Sequence, residues 1–285
     1  MKYANRTWFY NYRRLWKLCT EQKLGSRCNQ ISQQFSLLTK EWSVERNSEW
    51  TCRAYMSSKM ILNATALWNS LDFAQSVGLR AANPYFEYYA TLSLLRGVVF
   101  MLPTSQEGDL EALISISHSR AINMAFDWLA HIDQDAATRL KKTTLRLKAQ
   151  RELIAYKVPA SGDKNLSSNY DLLELLILLG ELAQLTSELL EASIDKNADP
   201  SSFKVLDDHI HAIASVDIEG FSFLDDDDYR RLGYVQRKTQ RPYNLANFMH
   251  AGLVEDFFDA WDGDEERGEF SNGAPSNWTA IFEVP

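Results

Sequence analysis

The sequence predicts an all-α, mainly helical protein, and three observations carry that prediction. Apolar residues recur at helical three-and-four spacing from Trp8 to Ile194. Prolines and glycines fall where helices should start or stop, as at Gly78, Pro84 and Pro103. Finally, a chain of 285 residues that is 45% apolar can bury a sizeable core without disulfide staples.

Taken in order, the first helix is carried by Trp8, Tyr12, Leu15, Trp16 and Cys19, with Gly25-Ser26 as punctuation. A second is carried by Ile31, Phe35, Leu38 and Trp42. Both need a surface to cover their apolar stripes, so 1–53 reads as an aromatic, basic helical extension packed on a helical bundle. The spacing of Met60, Leu62, Ala64, Leu67, Leu71 and Ala74 predicts a helix over 54–77, closed by Gly78. Pro84 opens the next, because its fixed φ suits a first turn, and Pro103 stops it. Beyond the polar turn at 104–109, helices are expected over 110–132, 136–156 and 170–194. Val158-Pro159 and Gly162 end the second of these. Together 54–194 should form an antiparallel helical bundle.

The turn-forming run at 196–202 is the clearest boundary in the chain. The remaining segment, 203–285, reads as an acidic C-terminal extension of α or α+β type. Helices are expected over 204–215 and 244–261 and a strand over 279–284, with loops at Gly268, Gly273 and Pro275.

Net charge is −8, but unevenly placed. The first sixty residues and 139–164 are basic, whereas Asp225 to Asp228 and Asp262, Asp264, Glu265 and Glu266 read as acidic loop surface. Three cysteines without Cys-x-x-Cys spacing fit a reducing cytoplasm without structural zinc. The N-terminus lacks the apolar run of a signal peptide. The most apolar window, 172–190, carries Glu174, Glu181 and Glu188, which a membrane span would exclude. His209 and His211 are two apart and point in different directions on a helix, so no metal site is expected there. With no Gly-rich phosphate loop, Gly-x-Ser-x-Gly elbow or His-Glu-x-x-His, no cofactor, serine hydrolase or zinc protease reading is supported.

Four sequence elements stand out in order: a helix from Ala64 ending in Gly78; Tyr88-Tyr89-Ala90 with Arg96; Ser117-His118-Ser119 leading to Phe126; and Arg151 with Tyr156. In this order and spacing they resemble the HEPN superfamily, specifically its uncharacterised bacterial branch, over 54–194. The sequence departs from that branch at Gly97, where alanine is usual, and at Ala155, where aspartate is common. The resemblance implies a cytoplasmic homodimer that takes part in a bacterial defence or toxin–antitoxin-like system.

In catalytic relatives an arginine holds the scissile phosphate and a histidine a few residues later moves the proton. Here Tyr156 stands in the histidine slot, and a phenol is a poor base near neutral pH. The resemblance therefore implies a non-catalytic component that engages RNA or a partner protein. Lys142, Arg146, Lys148 and Arg151 share one helix and read as a basic face that tracks an RNA backbone. One alternative is a metal-independent endoribonuclease using Arg151 with Tyr156 or His118. The other is a structural interaction module whose acidic C-terminal region docks on a basic protein partner.

Overall fold

The computed structural model describes residues 2–3, 6–7, 10–103, 110–164, 166, 171–249, 252–261 and 277–284. The turn at 104–109, the acidic cluster from Asp262 to Glu266 and the loop markers Gly268, Gly273 and Pro275 lie outside them.

Short polar side chains set the helix starts. After the antiparallel pair β1 (Lys2–Tyr3) and β2 (Arg6–Thr7) and the single turn α1 (Leu15–Leu18), Thr20 caps α2 (Glu21–Thr39). Ser43 caps α3 (Val44–Ser76), and Pro84 sits in the first turn of α4 (Asn83–Phe100). The short α5 (Leu110–Ile114) precedes α6 (His118–Ala130), whose N-cap is Ser117. Asp133 caps α7 (Gln134–Glu152) by accepting from Ala136 N at 2.8 Å. A π-turn, Leu153–Lys157, continues α7 and ends at Val158, whose φ of 42° breaks the helix. Asp171 then caps α8 (Leu172–Asn197).

A single 3₁₀ turn, Pro200–Ser202, leads to α9 (Asp207–Ala214), the hairpin of β3 (Ser215–Ile218) and β4 (Phe221–Leu224), and α10 (Asp226–Lys238). The short α11 (Leu245–Phe248) and α12 (Leu253–Asp259) come last. The hairpin turns through Glu219 and Gly220, both at positive φ, and pairs Val216 with Phe223 and Ile218 with Phe221.

The all-α expectation holds: the fold is mainly helical. At its centre α8 is buried at every position from Leu175 to Leu190, and α2, α3, α4 and α11 pack around it. Antiparallel α3 and α4 form the most extensive helix pair, joined by Ser57 to the Gly97 carbonyl at 2.8 Å and Asn63 to Ser93 at 2.8 Å. Among the described residues, no helix is long and apolar enough to cross a membrane.

The acidic residues that interrupt α8 have a structural task. Glu174, Glu181 and Glu188 recur every seven residues and so share one side of the helix. That side holds the N-terminal segment. Buried Glu181 accepts from the backbone N–H groups of Arg13 at 2.5 Å, Arg14 at 2.9 Å and Leu15 at 2.7 Å. Glu188 accepts from Tyr12 Oη at 2.9 Å, and Glu174 pairs with Arg14. The final segment closes over the same helix, with Ile281 and Phe282 fully buried against Gly180.

Several expected elements differ. The boundary between 53 and 54 falls inside α3, which starts at Val44 because Ser43 supplies the cap. The helix expected over 110–132 is two helices, since Ser117 restarts the chain at α6. Residues 279–284 form turns and bends rather than a strand, and the strands beyond residue 203 lie instead at Ser215–Ile218 and Phe221–Leu224. The run Asp225 to Asp228 is no loop: Asp225 caps α10, and Asp228, 4% exposed, is buried against α3.

Candidate functional site

The C-terminal end of α7, the N-terminus of α6 and the first two turns of α4 meet in one polar, aromatic cluster. Tyr88 comes from α4 and is fully buried, with its Oη 3.0 Å from His118 Nδ1 at the start of α6. Arg151, near the end of α7, is 9% exposed and places its guanidinium carbon 5.2 Å from the Tyr88 ring and 5.7 Å from the Tyr89 ring. Tyr156 extends from the π-turn beside it and is 74% exposed. Lys148 lies one turn back and pairs loosely with Glu152 at 3.9 Å. Arg96 reaches the carbonyl of Ile114 at 3.1 Å, tying α4 to the chain just before His118.

The electrostatics result from half-burial among cations. Burial first, and then Arg96, Arg151 and Lys148, hold the His118 pKa below the ordinary imidazole value. Burial raises the Tyr88 phenol, against the pull of the Arg151 charge and hydrogen bond. Tyr88 Oη and His118 Nδ1 share a hydrogen bond at 3.0 Å whose direction follows the tautomer: the phenol donates when the ring hydrogen is on Nε2, and the ring donates when it is on Nδ1. Nε2 is then a donor in the first tautomer and an acceptor in the second. The site can offer an anion a fixed guanidinium and an ammonium, beside two partly exposed tyrosine rings.

The expected RNA-binding residues are not all brought together. Lys142 and Arg146 precede Arg151 by nine and five residues, which turns them about 180° and about 140° away around the helix. Lys142 is exposed and lines an open groove between α6 and α7 with Phe126 and His131, and Arg146 is exposed. Of the four, only Lys148 shares the side of Arg151. The three residues considered for catalysis, Arg151, Tyr156 and His118, do converge. Glu152 was missed by sequence reasoning, although its place next to Arg151 was a signal.

Among the described residues, no group of three or more His, Cys, Asp or Glu side chains could hold a metal ion. His209 and His211 diverge on α9, and His211 packs against Tyr229 at 5.1 Å between ring centroids. No family model, curated protein or solved structure matches this chain. The HEPN resemblance thus rests on the motif residues themselves.

Proposed function

We propose that this chain is a HEPN-like component of a bacterial defence or toxin–antitoxin-like system that binds single-stranded RNA at the α4–α6–α7 cluster without cleaving it. The observation that carries the reading is Arg151, its guanidinium carbon 5.2 Å from the Tyr88 ring and 5.7 Å from the Tyr89 ring, beside the exposed ring of Tyr156. A phenol, Tyr156, stands where catalytic relatives place the imidazole that moves the proton, which favours binding over cleavage. Arg151, pinned against two tyrosine rings, is a pre-positioned phosphate ligand. The rings of Tyr156 and Tyr89 remain open for base stacking, which is tolerant of sequence.

The acidic C-terminal region gives less support to a protein-docking reading. Asp227 and Asp256 pair with Arg230, and Asp228 with Lys59, so these carboxylates are already engaged within the fold. The homodimer that the resemblance implies belongs to the same proposal.

The test is purification of the wild type and Tyr156→Ala from one host, with sequencing of any bound nucleic acid and incubation with RNA in EDTA. RNA on the wild type, reduced in the variant and left intact in EDTA, is the expected result. Metal-independent cleavage that His118→Ala abolishes would replace this reading with the ribonuclease.

A further inference from the structure

A second site lies away from this cluster and shares no residue with it. We propose that the cleft bounded by α10, α11 and α12 binds a nucleoside monophosphate. Its volume is about 280 Å³, at the small end of ligand pockets of about 300–1,000 Å³, so a mononucleotide fits better than a dinucleotide.

The charge of the lining selects an anion. In a chain of net charge −8, this one cleft gathers Arg230, Arg231, Arg237 and Lys238 from α10, against a single lining carboxylate, Asp256 of α12. Arg230 is 2.8 Å from Asp227 and 3.7 Å from Asp256, so its charge is largely answered. Arg231 Nε lies 3.4 Å from Asp256 Oδ2 but is misaligned, and remains a buried donor without a hydrogen-bond partner. Arg237 and Lys238 are exposed and have no ion-pair partner among the described residues. Three cationic groups of α10 that line the cleft are thus left with donors to spare, which a phosphomonoester can answer.

The remaining lining includes three aromatic rings, beside Val235, Thr239, Asn247 and Leu253. Tyr55 and Phe248 form the buried floor, with ring centroids 6.5 Å apart, and Tyr234, 42% exposed, stands at the mouth between Arg230 and Lys238 on α10. Asn247 adds an amide that can read a base edge. Inorganic phosphate would use the cations and leave the rings idle, whereas a nucleotide uses both. Tyr55 Oη donates to Asp228 at 2.5 Å, which fixes that ring in the floor.

The experiment is calorimetric titration of the full chain with AMP, GMP, CMP and UMP, beside the four nucleosides and inorganic phosphate. At least one monophosphate should saturate a single site, with its nucleoside and inorganic phosphate binding more weakly. Arg237→Ala/Lys238→Ala changes only exposed side chains and should weaken that binding by about tenfold or more, with an unchanged urea midpoint. Arg151→Ala should leave it intact, so that failure here and failure of the RNA site are told apart. Saturation by no monophosphate, equal affinity for inorganic phosphate, or a double variant that binds like wild type would each overturn the assignment.

Discussion

Four consecutive aspartates, identical in sequence, occupy four different environments, and replacing each by asparagine should separate them. Asp225 is the N-cap of α10, its Oδ1 accepting from Asp228 N at 2.9 Å. Asparagine caps about as well, so Asp225→Asn should change stability little. Asp226 is exposed, and Asp227 is an exposed partner of Arg230, so each substitution should stay within about 0.5 kcal/mol. Asp228 differs. It is 4% exposed, accepts from Tyr55 Oη at 2.5 Å and pairs with Lys59.

The amide keeps the shape of Asp228 but withdraws the charge facing the ammonium and turns an N–H₂ toward one of two donors. Removing one partner of a fully buried ion pair costs about 3–5 kcal/mol. The Lys59 side chain is 20% exposed, so water answers part of its charge and about 2–3 kcal/mol is expected. At about 2–4 °C per kcal/mol for chains of this size class, Tm should fall by about 5–10 °C. Urea unfolding of the four single variants, monitored by helical circular dichroism, reads the contrast directly. If Asp228→Asn unfolds at the same urea concentration as Asp226→Asn, the α3–α10 contact is not held by this carboxylate and the reasoning fails.

Gly97→Ala should be tolerated and stabilising by up to about 1 kcal/mol, because the added Cβ would meet Met60 Cβ and the Ser57 carbonyl at 3.5 Å, ordinary contact, while helix propensity improves. Loss of stability by thermal melting would show that α3 and α4 pack more tightly than that. Glu181→Ala should cost about 3 kcal/mol or more, since it strips the acceptor from three backbone N–H groups at the start of α1. Burial raises the Glu181 pKa against those donors. The folded state then holds this proton more tightly than the unfolded chain does. Its contribution to stability is therefore largest below the unfolded value and declines as pH rises through the folded pKa, a slope that Glu181→Ala should remove from a urea–pH series. Thiol labelling should find Cys19, half-buried, ahead of Cys28 and Cys52, whose buried thiols are pushed up to about 12. Equal rates for all three would contradict the packing of α2 and α3.

The long helices were legible because their apolar spacing and stop signals agree, as in α4 between Pro84 and Pro103. The hairpin was missed although its signal was present, since Val216, Ile218, Phe221 and Phe223 alternate with Asp217 and Ser222 about the Glu219-Gly220 turn, an alternation that stays exposed instead of facing the core. Asp228 could not be told from its neighbours without the register of α10 on α3. Glu174, Glu181 and Glu188 were legible as breaks in an apolar window but not as docking points, since their partners lie some 170 residues away in sequence. At the site, Tyr88, Arg96, His118 and Arg151 were all visible as motif residues. The error lay in treating charges on one helix as one face: the helical period alone separates Lys142 from Arg151.

That separation supplies the most direct test. Fluorescence anisotropy with a labelled single-stranded RNA at fixed salt should compare Arg151→Ala and Tyr156→Ala with Lys142→Ala/Arg146→Ala on the opposite side of α7. Losing a stacked base or a phosphate ligand of about 1–3 kcal/mol should weaken binding by about 5- to 150-fold in each of the first two, and the double variant should bind within a few-fold of wild type. Binding lost in the double variant and kept in Arg151→Ala and Tyr156→Ala would place RNA on the α6–α7 groove and contradict the account.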